Sequence, residues 1–331
     1  MNLADAADAA LEATIAPSFS RIGPVVRSRL DHWGDTASRL DGRVVVVTGA
    51  TSGLGLAASR TLLARGAQVE IVARSPDKAA AIAEQLREAV PGAALGITIA
   101  DTADLDRLHD AAAELRSRHT RIDVLVHNAG ALNASYVAAP SGLEQTVASQ
   151  VVGPFLFSAL LCDRLESAAP GRILWVTSGG MYTEPLRVDG LSMRPEDYRG
   201  SVAYARAKRA QVTLAEMMAA RVVPSSLVVH SMHPGWALTP GVERSLPVFR
   251  KVMGPLLRTV DEGADTIVWL ASDGGAPIDQ TGRLWLDRRV RTAHRRAATR
   301  AADTAEERAR LWEWVSEAAG TDFPARSTGE G

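Results

Sequence analysis

The sequence predicts an α/β protein: one mostly parallel sheet covered by helices on both faces. Three observations carry that prediction. From about Arg43 onward, short Val/Ile/Leu runs alternate with longer Ala/Leu/Arg segments of helical period. Each run is too short for a helix and nearly apolar throughout, as a strand buried on both faces must be. No Gly/Ser/Pro-rich linker and no fixed-period repeat interrupts the series, so one domain of about 250 residues fits better than two.

Seven strands are expected, at Val44–Val47, Val69–Val72, Leu95–Ala100, Val124–Val126, Ile173–Val176, Leu227–His230 and Leu284–Leu286. Helices are expected at Leu56–Ala64, at Pro76–Val90 with proline in the first turn, and at Thr102–Arg118, where Leu105, Leu108, Ala112 and Leu115 share a face. A further helix is expected over Ser201–Val223. The 331 residues are 46% hydrophobic and 23% charged, an ordinary globular composition that excludes disorder and collagen-like repeats. With 37 basic against 38 acidic residues, no global field draws the chain to nucleic acid. Cys162 is the single cysteine, which excludes an internal disulfide and fits a reducing compartment. The first ten residues carry Asp5 and Asp8 but no Lys or Arg, unlike a signal peptide. The longest apolar stretch, Val151–Cys162, has twelve residues and falls short of a membrane span. A cytoplasmic protein is expected.

Two flanks lie outside the alternation, dividing the chain into an N-terminal amphipathic extension (1–40), the α/β domain (41–287) and a basic, helical tail (288–331). Ile22, Val25, Val26, Leu30 and Trp33 form an apolar helical stripe beside Arg21, Arg27 and Arg29. Such a stripe fits packing on its own domain, on a second subunit, or on a membrane surface. The Arg/Ala-rich run Arg288–Arg300 reads as a solvated face rather than a nucleic-acid site, and a helix is expected over Thr304–Ala319.

The chemistry begins where the first strand ends, in Thr48-Gly49-Ala50-Thr51-Ser52-Gly53-Leu54-Gly55. Glycines between a strand and a helix permit a tight turn, and there the free N–H groups of the helix N-terminus attract a pyrophosphate. Three glycines at this spacing favour a nucleotide over a merely tight turn. The second strand ends Val72-Ala73-Arg74-Ser75, with no acid at its tip to accept from the ribose 2′-hydroxyl of NAD. Arg74 offers a forked charged donor suited to a 2′-phosphate, so NADP is favoured over NAD, the alternative being that Arg74 only begins the next helix. Glu70 lies farther back and reads as a solvent or helix-face residue. Tyr204 and Lys208 stand four residues apart on one helix face, where the cation would favour the phenolate and lower the tyrosine pKa. The fifth strand ends Val176-Thr177-Ser178-Gly179-Gly180, which brings Ser178 to the carboxyl edge of the sheet.

With these residues in order, the chain resembles a short-chain dehydrogenase/reductase over about Gly42 to Asp287. The motifs are Thr48–Gly55, Asp101, His127-Asn128-Ala129-Gly130, Ser178, Tyr204 with Lys208, and His233-Pro234-Gly235-Trp236 with Thr239. Thr177–Tyr182, Tyr204–Val212, His230–Pro240 and Gly263–Leu270 further resemble the branch holding dehydrogenase/reductase member 12 and the retinol dehydrogenases. The resemblance implies a Rossmann-type, doubly wound, seven-stranded sheet of order 3-2-1-4-5-6-7. It also implies that Gly49, Ser52, Gly53, Leu54 and Gly55 meet the cofactor phosphates and ribose, Asp101 the adenine, and Asn128 and Gly130 the ribose region. Lys208 would hold the nicotinamide ribose, and Pro234, Gly235 and Thr239 the carboxamide side. Tyr204 would be the general acid/base, with Ser178 polarising the substrate oxygen. One position departs from the family: Gln150 stands where Asn usually holds a relay water, and its extra methylene would shift or slow the relay. His127 replaces the commoner Asn and reads as structural.

His230 and His233 lack a third ligand at suitable spacing, so no metal is expected. The segment Gly179–Ala203, with Met181, Tyr182, Pro185, Leu186, Leu191 and Met193, must pass beside the substrate. A second segment, Trp236–Leu257, with Leu238, Pro240, Leu246, Pro247, Phe249 and Met253, sits where the family keeps its lid. Both favour an apolar alcohol or carbonyl substrate, unless these side chains pack on the core instead. Three function classes fit: an NADP-dependent oxidoreductase, a non-catalytic nucleotide sensor, and a membrane-peripheral binding protein. The intact Ser178, Tyr204 and Lys208 favour the first.

Overall fold

The computed structural model describes residues 3–33, 38–245 and 247–324. All seven expected strands are present: β1 Val44–Thr48, β2 Gln68–Ala73, β3 Leu95–Ile99, β4 Val124–His127, β5 Gly171–Val176, β6 Leu227–Met232 and β7 Arg283–Leu286. They form a parallel sheet in the expected order, but with an eighth strand, β8 (Arg289–Arg291), antiparallel to β7 at its edge. Asp287 and Arg288 join the two with φ of 53° and 57°, the two positive angles that a type I′ hairpin turn requires.

Buried Val45, Val47, Ile71 and Leu174 pack under the helices Gly53–Ala64, Pro76–Ala89 and Val260–Ser272 on one face. On the other, Val46, Leu125, Ile173 and Trp175 pack under Leu105–Arg118, the helical stretch Gln145–Glu166, Gly200–Ala219 and Ala305–Ala319. Because β1 lies between β2 and β4, successive crossovers leave it in opposite directions and open a crevice at the carboxyl ends of the strands. The stretch Gln145–Glu166 is 22 residues long and apolar enough to cross a membrane, longer than the twelve-residue run in the sequence suggested. It is a core helix, with 78% of its most apolar window buried.

Glu70 does not face solvent. It is 2% exposed, and its partner in register on β3 is Gly96, whose missing side chain leaves room for the carboxylate. A buried carboxylate needs partners, and Arg118 and His119 supply them at 3.1 and 2.8 Å.

Both flanks also differ from expectation. The extension forms helices Leu3–Ala13, Ile15–Phe19 and Ile22–Leu30. Ile22 and Val25 of the apolar stripe are exposed, whereas Arg27 is fully buried among Asp8 (2.7 Å), Glu12 (2.9 Å) and Asp287 (2.6 Å). The basic run after residue 287 is not a solvated face. Arg291 pairs with Asp8 at 2.6 Å, Arg289 with Asp31 and Arg295 with Glu12, so the two flanks neutralise each other. Burial works to raise the Asp8 carboxyl, but hydrogen bonds from Arg291 and Arg27 prevail and hold it at about 2.

Candidate active site

A cleft of about 820 Å³ lies at the carboxyl ends of the strands and is lined at one end by the Gly-rich turn. Gly49 and Gly53 adopt φ of 67° and 56°, which β-carbon-bearing residues resist. Gly55 lies behind the cleft rather than in it. A Cβ there would come within 2.4 Å of the Asn128 amide and 2.6 Å of the Gly49 carbonyl, so its role is close packing. Asn128 is itself a pin: its Nδ2 donates to the carbonyls of Thr48 and Gly49 at 3.0 and 3.1 Å. Ser52, Leu54, Asp101, Gly130, Pro234, Gly235 and Thr239 all line the same cleft. Asp101 accepts from the Ala103 N–H at 3.0 Å. Ser75, not Arg74, caps the helix Pro76–Ala89. Arg74 is exposed at the cleft rim, and no ion pair or hydrogen bond engages its side chain among the described residues.

At the other end, Ser178 at the tip of β5 lines the cleft together with Tyr204, its Oγ accepting from the Gly180 N–H at 3.3 Å. Lys208 follows one helical turn later, is 3% exposed, and donates from Nζ to the Val176 carbonyl at 2.9 Å. Its Nζ stands 5.3 Å from the centroid of the Tyr204 ring. The expected lowering of the phenol pKa is not found. Burial raises Tyr204, against a smaller lowering by the Ser178 side chain, and burial pushes Lys208 down to about 7. With the lysine partly neutral, the cation that was to stabilise a phenolate is itself weakened.

Residues 43–247 match the short chain dehydrogenase family. The human dehydrogenase/reductase SDR family member 12 is 33% identical over 82% of this chain and 85% of its own length. The chain belongs to the short-chain dehydrogenase/reductase family. Human retinol dehydrogenase 14 is 32% identical over 76% of this chain and 80% of its own, which places the chain in that branch. The L-sorbose reductase of Gluconobacter frateurii, solved with NADPH and L-sorbose, shares the fold at 21% identity, with a TM-score of 0.61 over 75% of this chain and 96% of its own. This short-chain dehydrogenase/reductase is therefore an oxidoreductase acting between CH–OH and C=O, on a small molecule and with a nicotinamide cofactor.

Gln150 does not line the cleft of this dehydrogenase/reductase; it lies just beneath. Pro154, four residues on, has no N–H to offer the Gln150 carbonyl, and the helix widens to a π-turn over Ala148–Val152. The Nε2 of Gln211, a buried residue the sequence did not single out, donates to that carbonyl at 2.7 Å. The Gln150 side chain donates to the Ala131 carbonyl at 2.8 Å, and its Oε1 is buried without a partner among the described residues. A Cβ on Gly130 would lie 2.9 Å from that oxygen and 3.3 Å from Lys208 Nζ, so glycine keeps both near one point.

The substrate end is less apolar than the sequence suggested. Met181, Tyr182, Leu186, Leu191 and Met193 are buried in the core, and from their segment Gly180, Thr183 and Ser201 face or border the cleft instead. Trp236, Pro240 and Phe249 of the second segment do line it, with the Trp236 and Phe249 rings edge to face at 5.2 Å. Leu246 and the Pro247 side chain lie outside the described structure. Both His230 ring nitrogens are engaged, with the Pro277 carbonyl and the Trp285 indole N–H. His127 bonds Ser158 at 2.7 Å, packs tilted against the Trp175 ring at 4.8 Å and is pushed down to about 3 by burial.

Proposed function

We propose that this oxidoreductase uses NADP and acts on a carbonyl or alcohol with an apolar body, through Ser178, Tyr204 and Lys208. The observation that carries the reading is a single cleft lined by Ser178, Tyr204, the buried Lys208, the Gly-rich turn and the unengaged Arg74. The residues fit a dinucleotide: Gly49, Gly53 and Gly130 keep space that side chains would fill, and Arg74 stands at the tip of β2 with its guanidinium free for a phosphate. When bound, the nicotinamide supplies or accepts the hydride. Ser178 holds the reacting oxygen, and Tyr204 gives it a proton in reduction or takes one in oxidation. Lys208 sits where it serves both Tyr204 and the ribose. The wall formed by Trp236 and Phe249 favours an apolar body, while Thr183 and Ser201 allow a polar substituent near the oxygen. A panel of apolar ketones, aldehydes and alcohols against sugars, followed by absorbance of the reduced nicotinamide with NADPH and NADH, tests substrate and cofactor together. Turnover of sugars alone, or with NADH alone, would overturn it.

A second reading concerns location. Ile22 and Val25 are exposed, as are Leu256 and Val252, and the Arg21 N–H donating to the Leu256 carbonyl at 2.9 Å joins the two segments, with Arg29, Arg250 and Lys251 near them in sequence. Exposed aliphatics with basic neighbours favour peripheral contact with an anionic membrane by an otherwise cytoplasmic protein. Co-sedimentation with phosphatidylglycerol vesicles but not with phosphatidylcholine vesicles is the expected result.

A further inference from the structure

The side chain of Arg258 is 1% exposed and lies between the N-terminal extension and the cleft. Its Nε donates to the carbonyls of Phe19 (2.9 Å) and Ser20 (3.1 Å). One terminal nitrogen donates to Asp287 (2.5 Å) and the Pro234 carbonyl (3.2 Å). The other donates to Asp287 (2.9 Å) and the Ser18 carbonyl (2.8 Å). All five guanidinium donors are thereby used. Two glycines make the space: a Cβ on Gly235 would lie 2.4 Å from Arg258 Nε, and one on Gly23 would lie 2.8 Å from Nη2.

The main chain repeats the connection. Arg258 N–H donates to the Trp236 carbonyl and the Leu238 N–H donates to the Arg258 carbonyl, both at 2.8 Å, while the Trp236 N–H donates to the Phe19 carbonyl at 2.7 Å. Arg258 is held in turn by the capping box of Thr259 and Glu262 directly after it. The Phe19 ring, 3% exposed, packs 4.7 Å from His233 and 5.9 Å from Trp236. A Cβ on Gly179, next to Ser178, would lie 2.5 Å from that ring. Phe19 thus backs both the Ser178 turn and the Pro234–Leu238 loop.

We propose that the extension backs the active site, with Phe19 and Arg258 as positioning residues that hold the Pro234–Leu238 loop in its nucleotide-receiving shape. The proposal rests on the nucleotide reading above. The loop has no regular structure of its own and carries a glycine at φ 70°, so without these bonds its ordering would be charged against binding. Coupling of this kind is reciprocal: if the held loop favours the nucleotide, the nucleotide must tighten the segment Ile15–Leu30, which it never touches.

Hydrogen exchange of the full chain with and without NADPH, together with NADPH titrations, tests this. The expected result is slowed exchange in residues 15–30 as well as in 48–55 and 233–239. Arg258→Lys, which keeps charge but loses the fork, and Phe19→Ala should each weaken NADPH about tenfold, with Phe19→Leu recovering most of the loss. Should Arg258→Lys fail to fold, the Phe19 pair decides. Slowed exchange at 48–55 and 233–239 but not at 15–30, with variants that bind like wild type despite a lower Tm, would make the extension a mere support and overturn the proposal. No change at 48–55 with NADPH or NADH would overturn the nucleotide reading and the proposal with it.

Discussion

Lys208 Nζ lies 5.3 Å from the centroid of the Tyr204 ring but gives its hydrogen bond to the Val176 carbonyl, so in the free protein the two groups are neighbours without a direct bond. Burial then dominates both: it raises the phenol and brings the lysine to about 7 from its ordinary 10.5.

That lysine makes nucleotide binding pH-dependent. A bound dinucleotide brings negative charge, which favours the ammonium and raises its pKa. At pH about 8 the free protein holds Lys208 mostly neutral, so binding should take up at most about one proton; at pH about 6 it is already charged and uptake should vanish. Calorimetry in two buffers of different ionisation enthalpy measures this, and Lys208→Met should abolish it. Without nucleotide the sign for stability is opposite in origin. Between 7 and 10.5 the unfolded chain binds more protons at this site, so stability rises with pH across that window and the contribution is lost as pH falls through 7.

Arg74 should set the choice of nucleotide. It stands unengaged at the tip of β2, and the nearest acid in that strand, Glu70, is taken by His119 and Arg118. A charged, forked contact to a 2′-phosphate is worth roughly 1.5–3 kcal/mol, about one to two decades of affinity. Arg74→Ala should therefore cost NADP that factor and leave NAD nearly unchanged. Equal binding of the two nucleotides by the wild type would refute the assignment.

The strands could be read because each is buried on both faces and so is apolar by itself. β8 could not: Arg289-Val290-Arg291 has no apolar run, and the acids that neutralise its arginines, Asp8 and Asp31, lie in the remote N-terminal extension. The same holds for Arg27, whose partners Asp8 and Asp287 lie 19 and 260 residues away and leave no local pattern. In the site, Tyr204 and Lys208 announce themselves by helical spacing and the Gly-rich turn by its glycines. Phe19 carries no such mark, being one aromatic in a short helix. Gln211 does have a signal in the sequence: Pro154 stands four residues after Gln150 and leaves a carbonyl in want of a donor.

Gln150→Asn tests the departure from the family pattern. The shorter amide would withdraw from Ala131 and free about one methylene of space beside Lys208, the room a relay water needs. Turnover should rise severalfold while nucleotide affinity stays nearly unchanged. A slower variant would show that holding Ala131, at the cleft wall, matters more than the relay.

Tyr204 should carry the proton. In reduction, negative charge grows on the substrate oxygen, and that oxygen must be protonated while Ser178 hydrogen-bonds it. The raised pKa keeps Tyr204 protonated at neutral pH, so it is a ready acid and a poor base. Reduction should accordingly stay level through neutral pH and fall only in alkali, whereas oxidation of the alcohol should climb with pH as the phenol ionises. Tyr204→Phe keeps the ring that packs beside Lys208 and removes only the transferable proton. Folding and nucleotide affinity should survive, while turnover drops by about two decades or more and the alkaline limb of the oxidation profile disappears. Lys208→Ala should instead damage turnover and nucleotide affinity together. Single-turnover kinetics with a deuterated nicotinamide separates the hydride step from product release, and a Tyr204→Phe enzyme as fast as wild type, with hydride transfer limiting, would remove Tyr204 from the chemistry.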